Sequence, residues 1–124
     1  LDCAPGTVTN PDAALAAMLS RPDRPEAFFV IRDWRAARIY EIARRMGLAI
    51  PADLAVISYD NVSWPEAASA GLTTVSEPTE ALAEQSIAML REWKQSGKRP
   101  ANVKLGGELV RRASVGSSRV EDVD

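Results

Sequence analysis

Apolar positions in this chain fall into two kinds of grouping. Ala27-Phe-Phe-Val-Ile31 and Leu54-Ala-Val-Ile-Ser-Tyr59 are near-continuous apolar runs that end at Arg32-Asp33 and Asp60-Asn61, the pattern of strands buried on both faces of a parallel sheet. Between them Ala36, Ile39, Ala43 and Met46 recur at helical spacing. Asp33 predicts an N-cap for a helix over residues 34–46, and Gly47 predicts its stop. Trp34, Tyr40 and Ile42 fall off that stripe, an apolar surplus that predicts a second contact such as another subunit. With Pro51 breaking the chain before the second run, residues 27–59 read as strand, helix, strand, joined by a right-handed crossover.

The flanks follow the same logic. Asn10-Pro11 predicts a helix start, Leu15, Met18 and Leu19 share one face, and Arg21-Pro-Asp-Arg-Pro25 is a stop and turn. After a loop carrying Trp64 and Pro65, Leu72-Thr-Thr-Val75 is a short strand. A helix over residues 79–96 follows, with Ala83, Ile87 and Leu90 in line and Leu82, Met89 and Trp93 beside them; Gly97 and Pro100 end it. Val103 to Val110 predicts a last strand weakened by Gly106-Gly107, and residues 117–124 a frayed tail. The fold class is therefore α/β, with helices layered on a parallel sheet.

In such sheets ligands bind outside the carboxyl ends of the strands. Asp60 and Asn61 stand at that edge, where a carboxylate can accept hydrogen bonds from ligand hydroxyls. The alternative is that Asp60 only opens the following turn. Phe28 and Phe29 read as core.

Composition narrows the chemistry. With 124 residues and 46% hydrophobic content the chain can form one domain with a modest core. A net charge of -2 leaves no electrostatic footprint for nucleic acid. No apolar run is long enough for a bilayer, and Leu1-Asp-Cys-Ala-Pro-Gly6 does not read as a signal peptide. Cys3 is the sole cysteine and histidine is absent, which excludes an internal disulfide and histidine-based catalysis or metal binding. There is no phosphate-cradling glycine loop, CxxC pair or nucleophile elbow, so neither an enzyme, a cofactor nor a metal is expected. Glu77, Glu80 and Glu84 read as a solvated helix start, and Arg44-Arg45 and Arg111-Arg112 as surface charge.

Four landmarks in order resemble the effector-binding domain of LacI/GalR-type bacterial transcriptional regulators. They are Ala27-Phe-Phe-Val-Ile-Arg-Asp-Trp-Arg-Ala36; Gly47-Leu-Ala-Ile-Pro-Ala-Asp-Leu-Ala-Val-Ile-Ser-Tyr-Asp60-Asn61; Leu72-Thr-Thr-Val-Ser-Glu-Pro78; and Glu108-Leu-Val-Arg-Arg-Ala-Ser114. The second is similar to the family's Gly-x-x-Ile/Val-Pro-x-Asp-x-x-Val-x-Gly-Tyr/Phe-Asp-Asp/Asn. The resemblance implies a two-lobed, periplasmic-binding-protein-like (type I), three-layer fold, of which residues 1–116 form the C-terminal part. The DNA-binding headpiece and most of the N-terminal lobe are then expected to be missing. Helix 79–96 would belong to that absent lobe, and is expected to pack on a second copy or to be poorly ordered.

Site residues follow from the same match. Asp60 corresponds to the family's ligand-binding aspartate, and Arg32 stands where an asparagine often meets the ligand. Thr7 falls near an aromatic stacking position, Asp33 reads as helix cap and cleft edge, and Ser58 replaces a usual glycine. An arginine at position 32 suits an acidic effector, unless it simply pairs with Asp60. Trp34, Arg35, Arg38, Ile39, Ile42 and Trp64 fall on segments that build the family's dimer interface. The implied function is effector sensing, for a sugar or related small polar metabolite, by a cytoplasmic homodimer that meets operator DNA only through the missing headpiece. The alternative is a fragment of a periplasmic sugar-binding protein serving an ABC importer.

Overall fold

The two apolar runs lie side by side. In the computed structural model, which describes residues 10–62 and 71–116, β1 (Ala27–Ile31) and β2 (Ala55–Asp60) are parallel, with Ala27 opposite Ala55 and Ile31 opposite Tyr59. α2 (Asp33–Arg45) connects them, and α1 (Pro11–Leu19) precedes them. β3 (Thr73–Ser76) extends the sheet in parallel beside β2, and β4 (Glu108–Val110) closes it antiparallel to β3, giving the order β1-β2-β3-β4. α3 (Thr79–Ser96) runs between β3 and β4. Thr7, Trp64 and the tail 117–124 lie outside the described residues.

Local chemistry accounts for most element ends. The Asn10 side chain accepts the Ala13 N–H at 3.1 Å and Pro11 occupies the first turn of α1, as expected. Gly47 takes φ +72 just beyond α2, and the Leu48 N–H reaches back to the Ala43 carbonyl at 2.9 Å, closing orphan carbonyls. The last strand is shorter than predicted, only Glu108–Val110. Gly107 sits so close to β3 that a Cβ there would lie 2.4 Å from the Ser76 carbonyl oxygen, so glycine is required where the chain enters the ladder.

The core is the space between the sheet and α1/α2, filled by Leu19, Ala36, Ile39, Ile42, Ala43, Leu54, Val56 and Leu72. Ile42, predicted to lie off the core stripe, is buried. α2 packs on α1 as well as on the sheet, so its covered arc is wider than one stripe. Phe29 is also a correction. It is 61% exposed, as Ile31 is, because β1 alternates: Phe28 and Val30 face the helices while Phe29 and Ile31 face away. By register, Leu109 shares that outer face through Val75 and Tyr59. No element among the described residues forms a third layer over it.

α3 is a continuous helix of 18 residues closed by Gly97 at φ +69. None of its residues is buried, and Leu82, Ile87, Leu90 and Trp93 are exposed. Its apolar side finds no partner among the described residues.

The chain after β4 clasps the sheet. Ser114 is buried, its Oγ donating to the Val56 carbonyl and accepting the Thr73 N–H at 2.7 Å. Replacing Ser114 with alanine would orphan a buried backbone N–H. A loss of about 1–3 kcal/mol in unfolding free energy is expected in urea denaturation. A change below a few tenths would show that the clasp adds nothing.

Candidate functional site

Three non-glycine residues among those described take positive φ, and all three stand at the carboxyl ends of parallel strands: Arg32 (φ 90) after β1, and Asp60 (φ 132) and Asn61 (φ 52) at the end of β2. Such conformations persist only where surrounding contacts impose them, and they concentrate at functional sites. Asp33 lies behind them. It is 1% exposed, and its carboxylate accepts the hydroxyls of Ser58 and Thr74 (the latter at 2.8 Å) and the Val62 N–H at 3.2 Å. One side chain thus ties the start of α2 to β2, to β3 and to the segment that follows β2.

This corrects the reading of Asp33 as a helix cap. Arg32 is the N-cap residue and makes no side-chain cap hydrogen bond, while Asp33 is the first helical residue and turns inward. The physical reason lies in Ser58 and Thr74. Opposite one another in the ladder and both fully buried on the helix-facing side, they need an acceptor, and a carboxylate at the helix start is within reach. The departure from glycine at Ser58 is part of the same device.

With Asp33 fixed, Arg32 is directed along the sheet edge to Asp60. Its Nη1 lies 3.4 Å from Asp60 Oδ1; the Asp60 side chain is only 7% exposed and that of Arg32 57%. Next to them the Asn61 amide oxygen accepts Arg112 Nη2 at 2.9 Å, and Arg112 Nη1 donates to the Leu72 carbonyl at 2.7 Å. Arg112, read as surface charge, is half-buried and holds the rim in place. The expected pair of Asp60 and Arg32 is therefore brought together, with Asp33 behind it.

The expected dimer residues divide. Ile39 and Ile42 belong to the chain's own core, 6% and 5% exposed. Trp34 is exposed, with the Arg35 guanidinium 5.1 Å from its ring centroid, and Arg38 pairs with Asp12 and Glu41. These three border a groove of about 690 Å³ between α1 and α2, which Leu15 and Val30 also line. On the far side of α2 the Tyr40 hydroxyl is buried without a hydrogen bond of ordinary geometry. Burial pushes its pKa up, and the Ser114 hydroxyl opposes that shift.

Among the described residues no cluster of side chains could hold a metal, and no helix is long and apolar enough to cross a membrane. Residues 2–115 match the family described as periplasmic binding protein-like domain. The chain belongs to that family. Within it the relatives are LacI-type regulators. The HTH-type transcriptional repressor PurR of Yersinia enterocolitica is 34% identical over 110 residues, 88% of this chain and 32% of that protein. Among solved structures, an uncharacterized protein from Actinobacillus succinogenes superposes with a TM-score of 0.74 at 30% identity, over 85% of this chain and 39% of that one. A LacI transcriptional regulator from a Rhodococcus species gives 0.71 at 27% identity, again over 85% of this chain and 39% of that one. The chain spans about a third of the length of the curated relatives it matches, which are repressors rather than enzymes. It is a LacI-type effector-binding domain fragment of this periplasmic-binding-protein-like family.

Proposed function

We propose that this chain is the sensing portion of a LacI-type transcriptional regulator, and that a sugar or related small polar metabolite binds at the sheet edge formed by Arg32, Asp60 and Asn61. The observation that carries the reading is the convergence of these strained residues at the carboxyl ends of β1 and β2, in a chain of this family. Asp60 would accept two ligand hydroxyls, and Thr7, outside the described residues, would be a further ligand contact. A ligand that binds one arrangement of two lobes better than the other shifts their equilibrium, and a DNA-binding headpiece elsewhere in the protein would read that shift.

The same reading assigns α3 to the opposite lobe, where its apolar side would be covered. It makes the protein a cytoplasmic homodimer, with Trp34, Arg35, Arg38 and Trp64 at the subunit contact. The relatives' repressor function favours this over a transport role. A gel-shift titration tests it: the full-length protein is titrated against DNA from upstream of its own gene, with and without a deproteinised extract of small metabolites. The expected result is nanomolar to micromolar DNA binding whose midpoint moves at least about fivefold with the extract, a coupling typical of such switches. Absence of DNA binding, or a midpoint that does not move, contradicts it.

A further inference from the structure

We propose that the effector is anionic, a polyhydroxylated molecule bearing a carboxylate or a phosphate, and that Arg32 is the residue that selects its charge. The inference rests on the sensing site proposed above and concerns only the class of ligand it takes.

Three observations carry it. First, Arg32 is held at the edge but not used up there. Its contact with Asp60 is a single N–H···O approach at 3.4 Å, at the long limit of a hydrogen bond, and its side chain is more than half exposed. A guanidinium has five N–H donors in a planar fork, so most of them are unspent among the described residues and can meet an oxyanion bidentately. Second, the Arg32 backbone holds a conformation that non-glycine residues rarely adopt. It takes φ 90 directly before the buried Asp33, which sets where the side chain leaves the edge. A flexible surface arginine would carry no such constraint.

Third, the first turn of α2 opens at the same edge. No side chain caps it, because Asp33 is committed to Ser58, Thr74 and Val62, so its leading N–H groups and the positive end of the helix dipole add to the field of Arg32. Asp33 stands in the same first turn and Asp60 beside Arg32, so the preference rests on the spare guanidinium donors and not on net charge. Asp33 is buried beneath its hydrogen bonds, and Asp60, nearly buried, is placed to take hydroxyls. Arg112 is committed to Asn61 and Leu72, which leaves Arg32 as the cation that a ligand can reach from the rim.

The test is a thermal-shift and calorimetric panel on the full-length protein. It uses matched sets of a neutral sugar, its aldonic or uronic acid, and its terminal phosphate (6-phosphate for glucose and galactose, 5-phosphate for ribose). The expected result is saturable binding confined to charged members, with at least tenfold preference over the neutral parent. The Arg32→Asn variant should lose that preference while melting within a degree or two of the parent protein. The acid and phosphate arms identify which oxyanion is taken. Binding of a neutral sugar that is lost in Asp60→Ala but indifferent to Arg32→Asn overturns the anionic proposal and keeps the sensing site. A panel with no saturable binding, or a preference that survives in Arg32→Asn, overturns the proposal; in the former case a gel-shift midpoint that still moves with the metabolite extract keeps the sensing site.

Discussion

Replacing Asp33 with alanine is expected to lower the unfolding free energy by about 3 kcal/mol, because three donors lose their acceptor at once. Ser58 and Thr74 are completely buried, so no water can take over the role of the carboxylate. The Val62 N–H, half-covered at the end of β2, would lose its partner as well. Asp33→Asn should recover part of the loss, since its Oδ1 could still accept from both Ser58 and Thr74 while its amide nitrogen would face the Val62 N–H. The loss is a network effect, so it should shrink when the donors are removed too. A Ser58→Ala, Thr74→Val, Asp33→Ala triple variant is expected to be more stable than the sum of its parts, as coupled sites are non-additive. Urea denaturation measures both. A cost under about 1 kcal/mol for Asp33→Ala, or strict additivity, would mean that the tie is incidental.

Asp60→Ala should weaken effector binding by about 100-fold or more, the equivalent of roughly 3 kcal/mol and of one or two hydrogen bonds to a carboxylate. Its effect on stability should be slight. The only described partner of Asp60 is the largely exposed Arg32, and ion pairs of that kind contribute about 0–1 kcal/mol. Binding and folding are thus expected to separate: Asp33 governs whether the edge exists, and Asp60 what it holds. Calorimetric titration beside a thermal melt reads both quantities. A dissociation constant within threefold of the parent protein would remove Asp60 from the site.

These two aspartates also mark how far the sequence could be read. The strand-helix-strand unit was legible because its periods are strong: two short apolar runs, a helical stripe, and Asn10-Pro11 and Gly47 at helix ends. The placement of Asp60 and Asn61 at the sheet edge follows from parallel strands, and that of Arg32 beside the ligand from the family resemblance. Asp33 was misread because a helix cap and a buried acceptor are the same residue type in the same place. Only Ser58 and Thr74 distinguish them, and a signal for them existed. Both alternate toward the helix-covered face of the sheet, where an unpaired hydroxyl is costly. Phe29 reads as core because a continuous apolar run implies two covered faces, and the described residues cover one. Ile42 needed knowledge of α1, and Arg112 needed a contact to Asn61, 51 residues away in sequence.

The most direct test of this account is a crystal structure of the full-length protein with its effector bound. A ligand hydroxyl about 3 Å from the Asp60 carboxylate, with Arg32 reaching the same molecule and the Asp33 ties unchanged, is the result it predicts. A ligand seated away from the carboxyl ends of β1 and β2 would contradict it.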